Sequence, residues 1–277
     1  MKKRIFFLIL LLANTFLYAQ QDEAQKLLEE GKSLCRLEKA SWNASDLFVV
    51  DYPQLKDSLN GYLSYQAEGK NVTTIFYSLK GGTKVLARYQ FSDISYQLPI
   101  SVDIHHPQPT EQEKELIILR TKTNHLLETN SDRFFSFYNN TSMNLIPVVT
   151  PTEKKVYLLT GPKVTGVVLL GNDYVLTFNK KNELIKKEKL HNTLISIPSK
   201  ELNKGKEVIS TMHSHVVSPY MTVTDICTLL LYKNYLSWTE HIVIGKKYVS
   251  ILNLKDETLS ILPLETWEKM ASDKTSN

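Results

Sequence analysis

Two histidines and an aspartate carry the clearest chemistry in this chain: Met212-His213-Ser214-His215, then Thr222-Val223-Thr224-Asp225 at the head of an apolar run. Residues two apart on a β-strand share a face, so His213 and His215 can aim both rings at one point while Ser214 faces away. Side chains in the first turn of a helix lean back past its N-terminus, which brings Asp225 toward whatever precedes it. Two imidazole nitrogens and a carboxylate oxygen make an ordinary zinc set, and three protein donors leave the fourth tetrahedral position for water. The same Thr-x-x-Asp spacing is also a capping box, with Thr222 as N-cap and Asp225 at the third helical position. Asp225 alone therefore decides nothing; the order of strand, His-x-His, short loop, Thr-x-x-Asp and helix does.

The elements that must position these residues are legible from periodicity. Ala24, Leu27, Leu28, Leu34 and Leu37 recur at helical spacing and predict an opening helix that ends before Asn43. Three strands follow at 62–65, 74–78 and 85–89, the last two joined through Lys80-Gly81-Gly82-Thr83, and they read as an antiparallel meander. Thr110 and Glu113 form a capping box ahead of a helix with an apolar stripe at Leu116, Leu119, Thr123, Leu126 and Leu127. Beyond Asn144, strands are expected at 145–149, 155–159, 167–170, 174–178, 194–197 and 208–212. A helix over 225–236 comes next, with strands at 241–244, 248–252 and 258–262. The fold class is α+β: an N-terminal α+β domain at 20–143, then a strand-rich domain with a central helix at 144–265 and a C-terminal tail at 266–277.

Lys2, Lys3 and Arg4, the apolar stretch Ile5 to Leu12 and the small residue in Leu17-Tyr18-Ala19 predict a secretory signal peptide over residues 1–19. No cysteine follows the apolar stretch at the expected cleavage site, Cys35 being the first, so no lipid anchor is expected there, and no later segment approaches the ~20 apolar residues of a membrane span. The expectation is a periplasmic or secreted protein with no transmembrane anchor after cleavage. Three of the 33 Lys and Arg lie in that segment, leaving 30 against 29 Asp and Glu. A nearly neutral chain gives no electrostatic footprint for nucleic acid. Cys35 and Cys227 read as small buried apolar residues rather than a disulfide framework. No phosphate-binding glycine loop, Gly-x-Ser-x-Gly elbow or Cys-x-x-Cys pair appears.

The order of His213, His215, Thr222 and Asp225 resembles the JAMM (MPN-type) metalloproteases, whose pattern is an upstream Glu, His-x-His-Pro, a loop, and Ser-x-x-Asp opening a helix. The resemblance covers residues 144–262 and implies a cytidine-deaminase-like domain. It further implies zinc held by His213, His215 and Asp225, with Thr222 in place of a serine that stabilises the tetrahedral intermediate. Val216 replaces the family's Pro, and the loop is one residue shorter than its commonest form. The family's upstream Glu moves a proton from water to the leaving amine, a role worth about 10²–10⁴-fold in rate; Glu153 and Glu183 are the candidates, with Asp173 a third. His191 is a candidate extra ligand, and His241 lies near the site if its strand neighbours Met212. Asp103, His105, His106 and His125 read as loop and helix-surface residues. The implied activity is hydrolysis of a peptide or isopeptide bond in an exported protein. The alternative is a degenerate, noncatalytic envelope protein that uses the scaffold to bind a partner or ligand.

Overall fold

The computed structural model describes residues 2–67, 69–199 and 208–275. It is a mixed α+β protein of four helices and fourteen strands among those residues. The chain divides into two compact units that interleave in sequence: one of residues 1–33, 166–168 and 196–277, the other of residues 34–165 and 169–195. The sequence reading places a boundary near Asn144, whereas this division keeps the sheet that follows Asn144 with the first meander. The reason is packing: helix α2 (Glu111–Thr129) serves both sheets of that unit.

Helix α1 runs Lys2–Asp51, past the Asn43 at which the sequence reading ended it. The buried positions Ala40, Ala44 and Phe48 continue the stripe, and Asn43 Nδ2 donates to Lys39 O one turn back instead of breaking the helix. In the larger unit, β1 (Gly61–Gln66), β2 (Val72–Ser78), β3 (Lys84–Phe91) and β4 (Ser101–Asp103) form an antiparallel sheet in that order. Gly81 and Gly82 adopt φ of 67° and 104° in the β2–β3 turn, a region that suits residues without a Cβ. The capping box at Thr110 and Glu113 is formed in both directions. Leu116 and Ile117 enter a core with Leu63, Ile75, Tyr77 and Val85. One turn further, Leu119 and Leu127 enter a second core with Phe135, Val156, Leu158, Tyr174 and Leu176. That second core lies on a sheet of β5 (Thr141–Val149), β6 (Lys154–Pro162), β8 (Tyr174–Phe178) and β9 (Leu184–Lys189), antiparallel throughout. β7 (Val167–Gly171) pairs with β10 (Leu194–Pro198).

The smaller unit carries the sheet β11 (Ser210–Ser214), β12 (Glu240–Ile244), β13 (Tyr248–Asn253) and β14 (Thr258–Pro263). β11 and β12 are parallel and the later pairs antiparallel. Parallel neighbours need a crossover, and helix α3 (Val223–Tyr232) with its flanking loops supplies it. Every α3 residue from Val223 to Leu231 is buried. α1 approaches the start of α3 at Gly31, where a Cβ would stand 2.5 Å from Ile226 Cγ2 and 3.2 Å from Val223 O. The segment expected as a tail from residue 266 is instead helix α4 (Leu264–Thr275). No helix among the described residues is long and apolar enough to cross a membrane.

Candidate metal centre

Strand alternation puts Thr211, His213 and His215 on one face of β11 and its extension, with Met212 and Ser214 exposed on the other. His215 lies one residue past the strand and continues the ladder, its N–H donating to Ile244 O at 2.9 Å. The site therefore sits at the carboxyl end of a parallel strand, where the chain leaves for its crossover helix. The parallel register sets Thr211 opposite His241 and His213 opposite Val243. His241 is thus the neighbour of the His-x-His strand, which is the arrangement the sequence left conditional.

The rings form a continuous chain. Thr211 Oγ1 is 2.7 Å from His241 Nδ1, His241 Nε2 is 2.8 Å from His213 Nδ1, and His213 Nε2 is 2.8 Å from His215 Nε2. At the far end His215 Nδ1 is 2.8 Å from Tyr220 O. A carbonyl only accepts, so His215 carries its proton on Nδ1 and, when neutral, offers the Nε2 lone pair. Burial pushes the His241 pKa down to about 3; the neighbouring His213 and His215 act in the same direction against the pull of Asp225. That ring is neutral at any physiological pH.

Asp225 completes the group from the first turn of α3, with no exposed surface. Its Oδ2 accepts from Thr222 N at 2.9 Å and from Thr222 Oγ1 at 2.7 Å, while Thr222 Oγ1 accepts from Asp225 N at 3.2 Å. The capping reading is therefore correct, and it does not exclude the ligand reading. His215 Nε2 is 3.4 Å from Oδ2, and His213 Nε2 is 3.9 Å from Oδ1. Candidate ligand atoms of His213, His215 and Asp225 all lie within 4.8 Å of one another. A tetrahedral ion at 2.0–2.1 Å from two nitrogens holds them about 3.3 Å apart, so the two Nε2 atoms need separate by roughly half an ångström to take one. A buried His/Asp group that can hold a metal ion is thus present, and the nature of the ion is not specified by these residues alone.

Thr222 is buried, and its hydroxyl is engaged in the cap and 3.0 Å from Thr224 Oγ1. The structure thus gives it a part in holding Asp225. The two candidate bases stand in hairpin turns of the larger unit. Glu153, in the β5–β6 turn, is exposed and pairs with Lys155 at 2.7 Å. Glu183, in the β8–β9 turn, is exposed; its carboxylate accepts from Asn179 Nδ2 at 2.7 Å and its backbone N–H donates to Asn179 Oδ1 at 3.0 Å. Neither belongs to the His213, His215, Asp225 group. Asp173, the third carboxylate, is buried and accepts from Thr160 N at 2.8 Å, with its Oδ2 3.6 Å from Nδ1 of the buried His191. His106 pairs with Asp103 at the surface of the larger unit. Cys35 and Cys227 are both buried thiols. Thr211 and the Tyr220 carbonyl are the participants that sequence reading missed; only the parallel pairing of β11 with β12 and the course of the following loop bring them in.

No protein-family model matches the chain, and comparison with curated proteins and with solved structures finds no significant match.

Proposed function

We propose that this chain binds a zinc-class divalent metal through His213, His215 and Asp225, and that it is an exported hydrolase of JAMM-like type acting on a peptide or isopeptide bond. The observation that carries the metal reading is the convergence of two histidine Nε2 atoms and a carboxylate, all of buried residues, at the carboxyl end of β11. Bound zinc would supply a Lewis acid that polarises a carbonyl and makes water acidic enough to attack at neutral pH. The chain's own residues have defined parts. Tyr220 O holds His215 in the tautomer that offers Nε2, and Thr222 orients Asp225 with two hydrogen bonds to Oδ2. Burial strengthens every charge interaction within the group. The hydrolytic step is supported by the residue order shared with the JAMM pattern.

A noncatalytic metal-binding role is the second reading, favoured by the engagement of the Thr222 hydroxyl in the cap and by the turn positions of Glu153 and Glu183. Cobalt substitution and turnover separate the two. Intense visible absorption typical of a tetrahedral cobalt site, together with chelator-sensitive cleavage of a peptide or isopeptide library, supports the hydrolase. The same spectrum with no cleavage at any pH between 5 and 9 leaves the binding role. No cobalt spectrum overturns both.

A further inference from the structure

We propose that Thr211 and His241 are positioning residues that select which nitrogen of His213 carries its proton, switching that ring between a hydrogen bond to His215 and metal ligation. This rests on the metal reading above and concerns residues outside the ligand set. The Thr211, His241, His213, His215 chain admits two complete arrangements. In the first, Thr211 donates to His241 Nδ1, His241 Nε2–H donates to His213 Nδ1, and His213 Nε2–H donates to the lone pair on His215 Nε2. Every nitrogen in the chain is then satisfied, and His213 Nε2 is blocked as a ligand by its own proton.

In the second arrangement His241 Nδ1–H donates to Thr211 Oγ1 and His213 Nδ1–H donates to His241 Nε2. Lone pairs on His213 Nε2 and His215 Nε2 now face each other 2.8 Å apart. Two acceptors at that distance repel unless a cation lies between them, so this arrangement belongs to the metal-bound protein. Both arrangements hold one proton on each ring. Going from the first to the second, the His241 Nε2 proton passes to His213 Nδ1, His213 gives its Nε2 proton to water as the ion enters, and His241 takes the half-buried Thr211 hydroxyl proton at Nδ1 while Thr211 regains one from water, so that no net proton is gained or lost. A hydroxyl both donates and accepts, which a carboxylate or a carbonyl in that place would not do. Thr211 thereby lets the neutral relay point either way, whereas Tyr220 O, an acceptor only, fixes His215 in a single tautomer.

The test is long-range ¹H–¹⁵N correlation of the histidine rings in the full chain, recorded in chelator and with one equivalent of zinc, plus zinc affinity by competition with a chromophoric chelator. The expected spectra show His213 and His241 as Nε2–H tautomers in chelator and as Nδ1–H tautomers with zinc, while His215 remains Nδ1–H in both. His241→Leu should weaken zinc binding 10–100-fold, the usual effect of losing a partner of a ligating histidine. His241→Gln, whose Oε1 can accept from His213 Nδ1, should recover most of the loss. Zinc binding by the wild type with unchanged His213 and His241 tautomers overturns the relay and leaves the metal site standing. If the wild type binds no zinc, the metal reading fails and the relay with it. The wild-type spectra decide even where His241→Leu does not fold.

Discussion

Asp225 does two jobs in this structure, closing the N-terminus of α3 and facing the two histidines, and one substitution separates them. Asp225→Asn keeps a side-chain carbonyl oxygen in place of Oδ2, able to accept from Thr222 N and Thr222 Oγ1, which now stand at 2.9 and 2.7 Å. The cap therefore survives, and the cost in chelator should stay within about 1 kcal/mol, against roughly 0.5–2 kcal/mol when a cap is deleted by alanine. Ligation should not survive, because the amide carries no charge to offset the ion's. A metal present at 100 times its dissociation constant adds about 2.7 kcal/mol to the folded state that binds it. Urea unfolding followed by tryptophan fluorescence, with Trp238 buried in the same unit, reads both quantities. Wild type and Asp225→Asn should unfold at similar urea concentrations in chelator, and zinc should move only the wild type upward. Equal stabilisation of both proteins by zinc would refute the assignment of Asp225 as a ligand; a collapse of Asp225→Asn in chelator would show that its charge serves the fold instead.

Other consequences concern stability and the wider ligand set. Burial raises the Glu38 pKa from 4.5 to about 7, opposed by Asn144, Arg120 and Trp42. The folded state thus holds that proton more tightly than the unfolded chain, so the penalty is absent below about pH 4.5, grows as pH rises toward 7 and is constant above. At 1.36 kcal/mol per pKa unit the full penalty is on the order of 3 kcal/mol. Glu38→Gln should flatten the decline in unfolding free energy between pH 5 and pH 8, and an unchanged slope would contradict this origin. Gly31→Ala gains helix propensity of about 1 kcal/mol, yet its Cβ would meet Ile226 Cγ2 at 2.5 Å. The net effect should be destabilising by about 1–3 kcal/mol, as for other overpacked cores, with a rise in thermal stability as the disproof. The sequence proposes His191 as an extra donor. On that proposal His191→Ala lowers zinc affinity without abolishing it, and an unaltered chelator-competition curve removes it from the ligand set.

Much of the fold follows from patterns that local physics enforces. The Thr110 and Glu113 box, the stripe on α2 and the β2–β3 glycine turn are set by neighbouring residues, and each forms where the spacing places it. α1 runs past the end its sequence suggests because Asn43, a poor helix former by propensity, is satisfied within the helix at Lys39 O while tertiary burial of Ala44 and Phe48 carries the helix onward. α4 reads as a tail in the sequence because its apolar residues, Leu264, Trp267, Met270 and Ala271, make only a short stripe, and most of the helix is exposed. The interleaving of the two units is a long-range property: α2 joins two sheets whose strands lie on either side of it in sequence. At the site, His213, His215 and Asp225 were readable because strand and helix periodicities fix their directions. His241 is readable only conditionally, because whether β12 lies beside β11, and in which direction, is decided by pairing at a sequence separation of 30, as with Thr211 and His241. The candidacy of Glu153 and Glu183 as bases rests on residue type and position in sequence alone, and turn chemistry accounts for both.

The central claim is that His213, His215 and Asp225 hold one metal ion, and elemental analysis of purified protein tests it most directly. The wild type, refolded or dialysed against trace zinc and freed of loose ions, should carry one equivalent, while His213→Ala and His215→Ala should each carry far less. Equal metal content in all three proteins would contradict the account.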